Sequence, residues 1–229
     1  MQPDAPSWAF RPVDIYCERL GPGFWAEPVN AVSNLAFIIA ALIMLFPALR
    51  ARDPGAIALV AILELIGIGS FLWHTFAVGW AGPADVIPIA AFILLYVWLA
   101  TRRFFDASPL RASLAVIGAL AVLYLTGAAI RAGFGSLNGS EGYAGVLVLL
   151  AAYAAALMRA APATARGLLL GAALLALSLT FRSLDATLCG AFPLGTHFLW
   201  HILNAVMLGW MIHVLLAHPR ALARTGSHR

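Results

Sequence analysis

Residues 56–77 read AIALVAILELIGIGSFLWHTFA. A helix rises about 1.5 Å per residue, so an apolar run of this length crosses roughly 30 Å of hydrocarbon. The stretch reads as a membrane span. Six others read the same way, at about 30–49, 84–101, 110–130, 142–159, 166–182 and 196–217. The cuts between them fall at helix breakers: Pro54 and Gly55, Gly79 to Pro83, Pro109, Gly133 to Gly139, Pro162, and Gly190 to Gly195. The expected fold is all-α, a seven-transmembrane helix bundle occupying residues 1–229 as a single domain.

Composition agrees. Of 229 residues, 62% are hydrophobic and 10% charged, and mean hydropathy is +0.91. A soluble domain is nearer a quarter charged. Ordinary soluble enzymes, disordered chains and secreted disulfide scaffolds are excluded. The net charge of +4 would suggest nucleic acid in a soluble protein. Here every basic residue is Arg and most sit in short loops, so they report topology and no nucleic-acid partner is expected. Arg50, Arg52, Arg102, Arg103, Arg111, Arg159, Arg166, Arg220, Arg224 and Arg229 fall on one side, against Arg11, Arg19, Arg131 and Arg182 on the other. The richer side is expected to be cytoplasmic. That puts the N-terminus and segment 1–29 outside, and the C-terminus with the basic tail 218–229 inside. Segment 1–29 lacks the pattern of a cleavable signal peptide. A bacterial inner membrane is the expected location.

Polar residues inside spans are costly and mark function. The second span carries Glu64, Ser70 and His74. The third begins near Asp85, and the seventh opens with His197 and His201. The alternating direction of the spans brings His74, His197, His201, Ser70 and Asp85 to one depth, near the outer end. His197 and His201 are i and i+4, one above the other on one helical face. Ser70 and His74 share that spacing. Three histidines with a fourth position left open is the catalytic zinc pattern, and imidazole ligands suit zinc over magnesium or calcium. Two histidines one turn apart cannot hold both faces of a haem. His213, His218 and His228 read as structural or solvated, and Glu64, roughly 15 Å deeper, as a packing group. Arg182 and Asp185, at i and i+3, read as a structural ion pair.

The segments Cys17-Glu18, Phe24-Trp25-Ala26-Glu27-Pro28-Val29-Asn30-Ala31-Val32-Ser33-Asn34, Ser70-Phe71-Leu72-Trp73-His74, Asp85 and His197-Phe198-Leu199-Trp200-His201 together resemble the alkaline ceramidases. These belong to a superfamily of seven-span, metal-dependent lipid hydrolases that includes the adiponectin-type receptors. The resemblance implies zinc on His74, His197 and His201, with Ser70 and Asp85 assisting the chemistry. It implies a calcium ion on Asp14, Glu18 and Glu27, although Leu20 stands where an amide ligand is expected. It also implies a disulfide between Cys17 and Cys189.

The expected activity is zinc-dependent hydrolysis of the amide of ceramide or a ceramide-like N-acyl lipid, to a fatty acid and a sphingoid base. The expected partner is that membrane lipid, with no obligate protein partner. Two other readings stay open at this point. One is a lipid hydrolase acting on a different ester or amide; the other is a seven-helix receptor or metal-binding protein without turnover.

Overall fold

A computed structural model describes residues 7–219. Its helices are α1 (Pro28–Ser33), α2 (Leu35–Arg50), α3 (Pro54–Phe76), α4 (Ala81–Phe104), α5 (Pro109–Phe134), α6 (Ala144–Leu157), α7 (Pro162–Leu188) and α8 (His197–Ala217). Seven stretches are long and apolar enough to cross a membrane, α1 and α2 together making the first. Arg220, Arg224, His228 and Arg229, in the expected tail, lie outside the described residues.

Local chemistry explains the helix starts. Pro28, Pro54, Pro109 and Pro162 each open a helix, where the missing N–H costs nothing. Asp53 accepts from the Ala56 amide at 3.1 Å and Ser108 from the Arg111 amide at 3.3 Å, each capping an otherwise unpaired donor. Asp53 also receives the Arg103 guanidinium at 2.5 Å, and Arg103 reaches the Leu215 carbonyl at 2.9 Å. That clasp joins the start of α3 to the ends of α4 and α8, at the Arg-rich end of the bundle.

Burial sets the order of the helices. In α8, 61% of the apolar window is buried, against 6% in α5. So α8 is the central helix and α5 the outermost. Ile39, Leu42, Ile43 and Phe46 on α2, with Leu114, Ile117 and Leu125 on α5, stay exposed. Apolar faces of that extent suit lipid and not water.

Two element boundaries differ from expectation. The sixth span runs on to Leu188 instead of ending at 182, because no Gly or Pro interrupts it there. The first span is interrupted at Asn34. The Ser33 hydroxyl and Asn34 amide both donate to the Asn30 carbonyl, at 2.8 and 2.9 Å, and such side-chain bonds compete with helix continuation.

Two segments far apart in the chain are tied together. Cys17 and Cys189 pair, with Cα atoms 5.2 Å apart, within disulfide range. The segment before α1 also lies on the α3–α4 turn, Val13 donating to Ala77 at 2.8 Å and Trp80 to Ala9 at 3.0 Å.

The tightest helix approach lies beside Ser70 and Asp85. Pro88 lies inside α4 and offers no N–H to the carbonyl four residues back, that of Ala84. A Cβ on Gly69 would collide with that same carbonyl. Gly69 is therefore what lets α3 meet α4 at the level of the site. Gly69→Ala should cost about 1–3 kcal/mol, the usual range for overpacking, and lower the melting temperature in detergent. A variant as stable as the parent would show that the helices do not touch there.

Candidate metal centre

His74 ends α3, one turn before its C-cap, while His197 and His201 occupy the first two turns of α8. All three are 1% exposed. Nε2 of His74, Nδ1 of His197 and Nε2 of His201 are buried without a hydrogen-bond partner. The ligand atoms of the three side chains lie within 4.8 Å of one another. Buried polar atoms are normally paired. Three buried imidazoles whose ligand atoms gather this closely, each with a bare ring nitrogen, fit a divalent metal, and the donor set suits zinc.

Two of the three rings are held from behind. Nδ1 of His74 meets Oε2 of Glu27 at 2.6 Å. Nδ1 of His201 meets the Ser33 hydroxyl at 2.7 Å, and that hydroxyl donates to Asn30 at 2.8 Å. Ser33 has one proton, already given, so the shared hydrogen belongs to His201. Both rings thus carry the proton on Nδ1 and present Nε2 as a lone pair, the usual arrangement behind metal-binding histidines.

Asp185 positions His197 through the backbone. Its Oδ1 accepts from the amides of Thr196 at 2.7 Å and His197 at 3.0 Å, and its Oδ2 from the Cys17 amide at 3.2 Å. The carboxylate is fully buried. It satisfies orphan donors at the start of α8 and ties them to the disulfide. Gly195, at φ +66°, leaves no room for a Cβ beside Asp185.

The expected Arg182–Asp185 ion pair does not form. Asp185 turns toward α8, whereas the Arg182 guanidinium lies 5.1 Å over Trp200 and 5.6 Å from Tyr143. Its Nε is buried without a partner. Although i and i+3 are neighbours on α7, each side chain finds its partners on other elements.

Ser70 is buried on α3, one turn before His74, and approaches the Asp85 carboxylate on α4. Tyr16 roofs the site. Its ring centroid is 4.0 Å from that of His197 and 4.9 Å from that of His74, and its hydroxyl accepts from Trp73 at 3.2 Å. Burial pushes the Tyr16 phenol up to about 12, so it stays neutral at any working pH.

The residues that the resemblance implies for calcium are not gathered. Asp14 is exposed. Glu18 spends both oxygens on the Val29 and Asn30 amides, at 2.6 and 2.8 Å, at the start of α1. Glu27 faces His74 with one oxygen and takes Arg19 Nε at 2.5 Å with the other. Burial raises the Glu27 carboxyl above its ordinary value, and Arg19 opposes that rise. The structure around Asp14, Glu18 and Glu27 does not fit a calcium ion, which takes six to eight oxygens.

Glu27, Ser33 and Asp185 are supporting roles that sequence reading missed. The one available signal was spacing: Glu27, Asn30, Ser33 and Asn34 recur at three and four residues, one helical face entering the first span.

The Ceramidase family model matches residues 21–227. No curated protein matches the chain. Glu27→Gln keeps the shape at His74 and removes the charge. It should weaken zinc binding about 10–100-fold, read by competition with a chromogenic chelator. Unchanged affinity would show that Glu27 does not support the ligand.

Proposed function

We propose, for a chain that belongs to the ceramidase family, that it hydrolyses the amide of ceramide or a ceramide-like N-acyl lipid with zinc held by His74, His197 and His201. The observation that carries the reading is the trio of unpartnered, buried imidazole nitrogens beside Ser70 and Asp85. A purely structural histidine cluster would pair those atoms with neighbouring helices.

The chemistry such a metal supplies when bound is Lewis-acid polarisation of a carbonyl and a lowered water pKa. The protein supplies the remainder. Asp85 takes a proton from the attacking water and delivers it to the departing amine as the C–N bond breaks. Ser70 donates a hydrogen bond to the carbonyl oxygen as negative charge develops there. Arg182, whose field reaches Asp85, adds positive potential to the same region. Tyr16 and the disulfide-tied N-terminal segment keep bulk water off the histidines.

A slot beside the site supports a lipid substrate. It is apolar and runs along α8 from Trp200 past Asn204 and Met207 to Met211, walled by Phe92 and Tyr96 of α4 and Leu150 of α6. Eleven residues of helix span about 16 Å, a length suited to a hydrocarbon tail. Retention of Ser70 and Asp85 beside the histidines favours turnover over a receptor role. The Arg-rich end of the bundle supports a cytoplasmic C-terminus and, with it, a site near the outer leaflet.

Purified protein should contain about one zinc per chain and release fatty acid from ceramide. His74→Ala, His197→Ala and His201→Ala should each lose both metal and activity. Ser70→Ala and Asp85→Asn should keep zinc, Ser70→Ala losing about 10²–10³ in kcat, the range for one oxyanion donor. Zinc-loaded protein that cuts another long-chain amide or ester but not ceramide would overturn the substrate. Zinc-free active protein would overturn the metal.

A further inference from the structure

The Arg19 side chain is 4% exposed, yet each of its three guanidinium nitrogens donates to an oxygen. Nε donates to Glu27 Oε1 at 2.5 Å, one terminal nitrogen to the Gly21 carbonyl at 3.1 Å, and the other to the His74 carbonyl at 3.2 Å. These acceptors come from three places: the loop after Cys17, the entry to α1, and the last turn of α3. They form a small oxygen cage with a cation already in it.

We infer that Arg19 is the resident cation of this segment, standing in for a bound divalent ion and bracing the metal centre without a second metal. The charge arithmetic favours it. Only one of the three acidic side chains implied for calcium faces the cage, and one guanidinium balances it. A divalent ion there would meet Arg19 at contact distance, and Glu18 directs its two oxygens at the Val29 and Asn30 amides instead of at the cage. Arg also cannot lose its proton, and its planar fork suits three acceptors held apart.

The geometry explains what the cation does. The His74 carbonyl lies in the last turn of α3, where carbonyls lack intrahelical donors and a positive charge is favoured. Arg19 caps that carbonyl and, with the same group, holds Glu27 so that its second oxygen meets the ring of the same histidine. Backbone and side chain of one metal ligand are thus fixed by one guanidinium. Arg19 is a positioning residue; it does not touch the reacting atoms.

The effect on zinc rests on the reading of His74 as a ligand; the calcium arm does not. The test uses the full chain in detergent. Calcium uptake is measured by metal analysis after equilibration with millimolar calcium, with the melting temperature followed over the same titration. Wild type should retain no stoichiometric calcium and show no shift. Arg19→Ala should bind zinc at least tenfold more weakly, and millimolar guanidinium, but not equimolar urea, should restore the affinity. Arg19→Lys, which keeps charge without the fork, should fall between and carries the zinc measurement if Arg19→Ala does not fold. One calcium per wild-type chain with a saturating rise in melting temperature would overturn the proposal. So would zinc affinity unchanged in the variants. Neither readout needs lipid turnover, so a chain that cleaves no ceramide would defeat the functional reading and leave this one standing.

Discussion

A ring nitrogen buried in hydrocarbon with nothing to bond costs free energy, and this bundle buries three at one point. That strain is tolerable only if something binds them and if the rings cannot turn away to find other partners. Much of the surrounding architecture serves the second condition. Glu27 and Ser33 occupy the far nitrogens of His74 and His201. Asp185 fixes the first turn of α8 through the backbone amides of Thr196 and His197. With those bonds made, the remaining lone pairs have one direction left to face.

The segment ahead of the first span is consequently part of the site. It supplies Tyr16 over the rings, Cys17 against Asp185, Arg19 at the end of α3, and Glu27 behind His74. The disulfide to Cys189 closes a loop that includes nearly the whole bundle, and crosslinks of long loops restrict the unfolded chain most in the entropy model. Its mechanical consequence is local. It holds the segment on the end of α7 from which Asp185 reaches α8.

Ser70 and His74 share α3 while Asp85 stands on α4, so the distance of Asp85 from both depends on how closely those two helices pack. Gly69 against the Ala84 carbonyl, which receives no N–H from Pro88, sets that distance. The apolar slot along α8 begins at Trp200, the residue before His201, and under the proposed function it would take a long tail. One end of the substrate meets fixed polar groups and the other meets hydrocarbon, the division expected for an enzyme acting on a membrane lipid.

Seven spans, their approximate limits and the three histidines were legible in the linear chain. Hydrophobic length is a local property, and His197 and His201 advertise a shared face by spacing alone. The common depth of His74 and Asp85 followed from counting alternating spans. The roles of Glu27, Arg19, Arg182 and Asp185 were not legible. A charge in sequence looks the same whether it binds calcium, caps a helix or lies over an indole. Arg182 and Asp185 seemed a pair because they are neighbours on one helix, but their partners are on other elements. Composition and periodicity determine which segments enter the membrane and which face each presents. Which polar atom meets which depends on inter-helix distances of a few ångströms, and only the packed tertiary structure decides those.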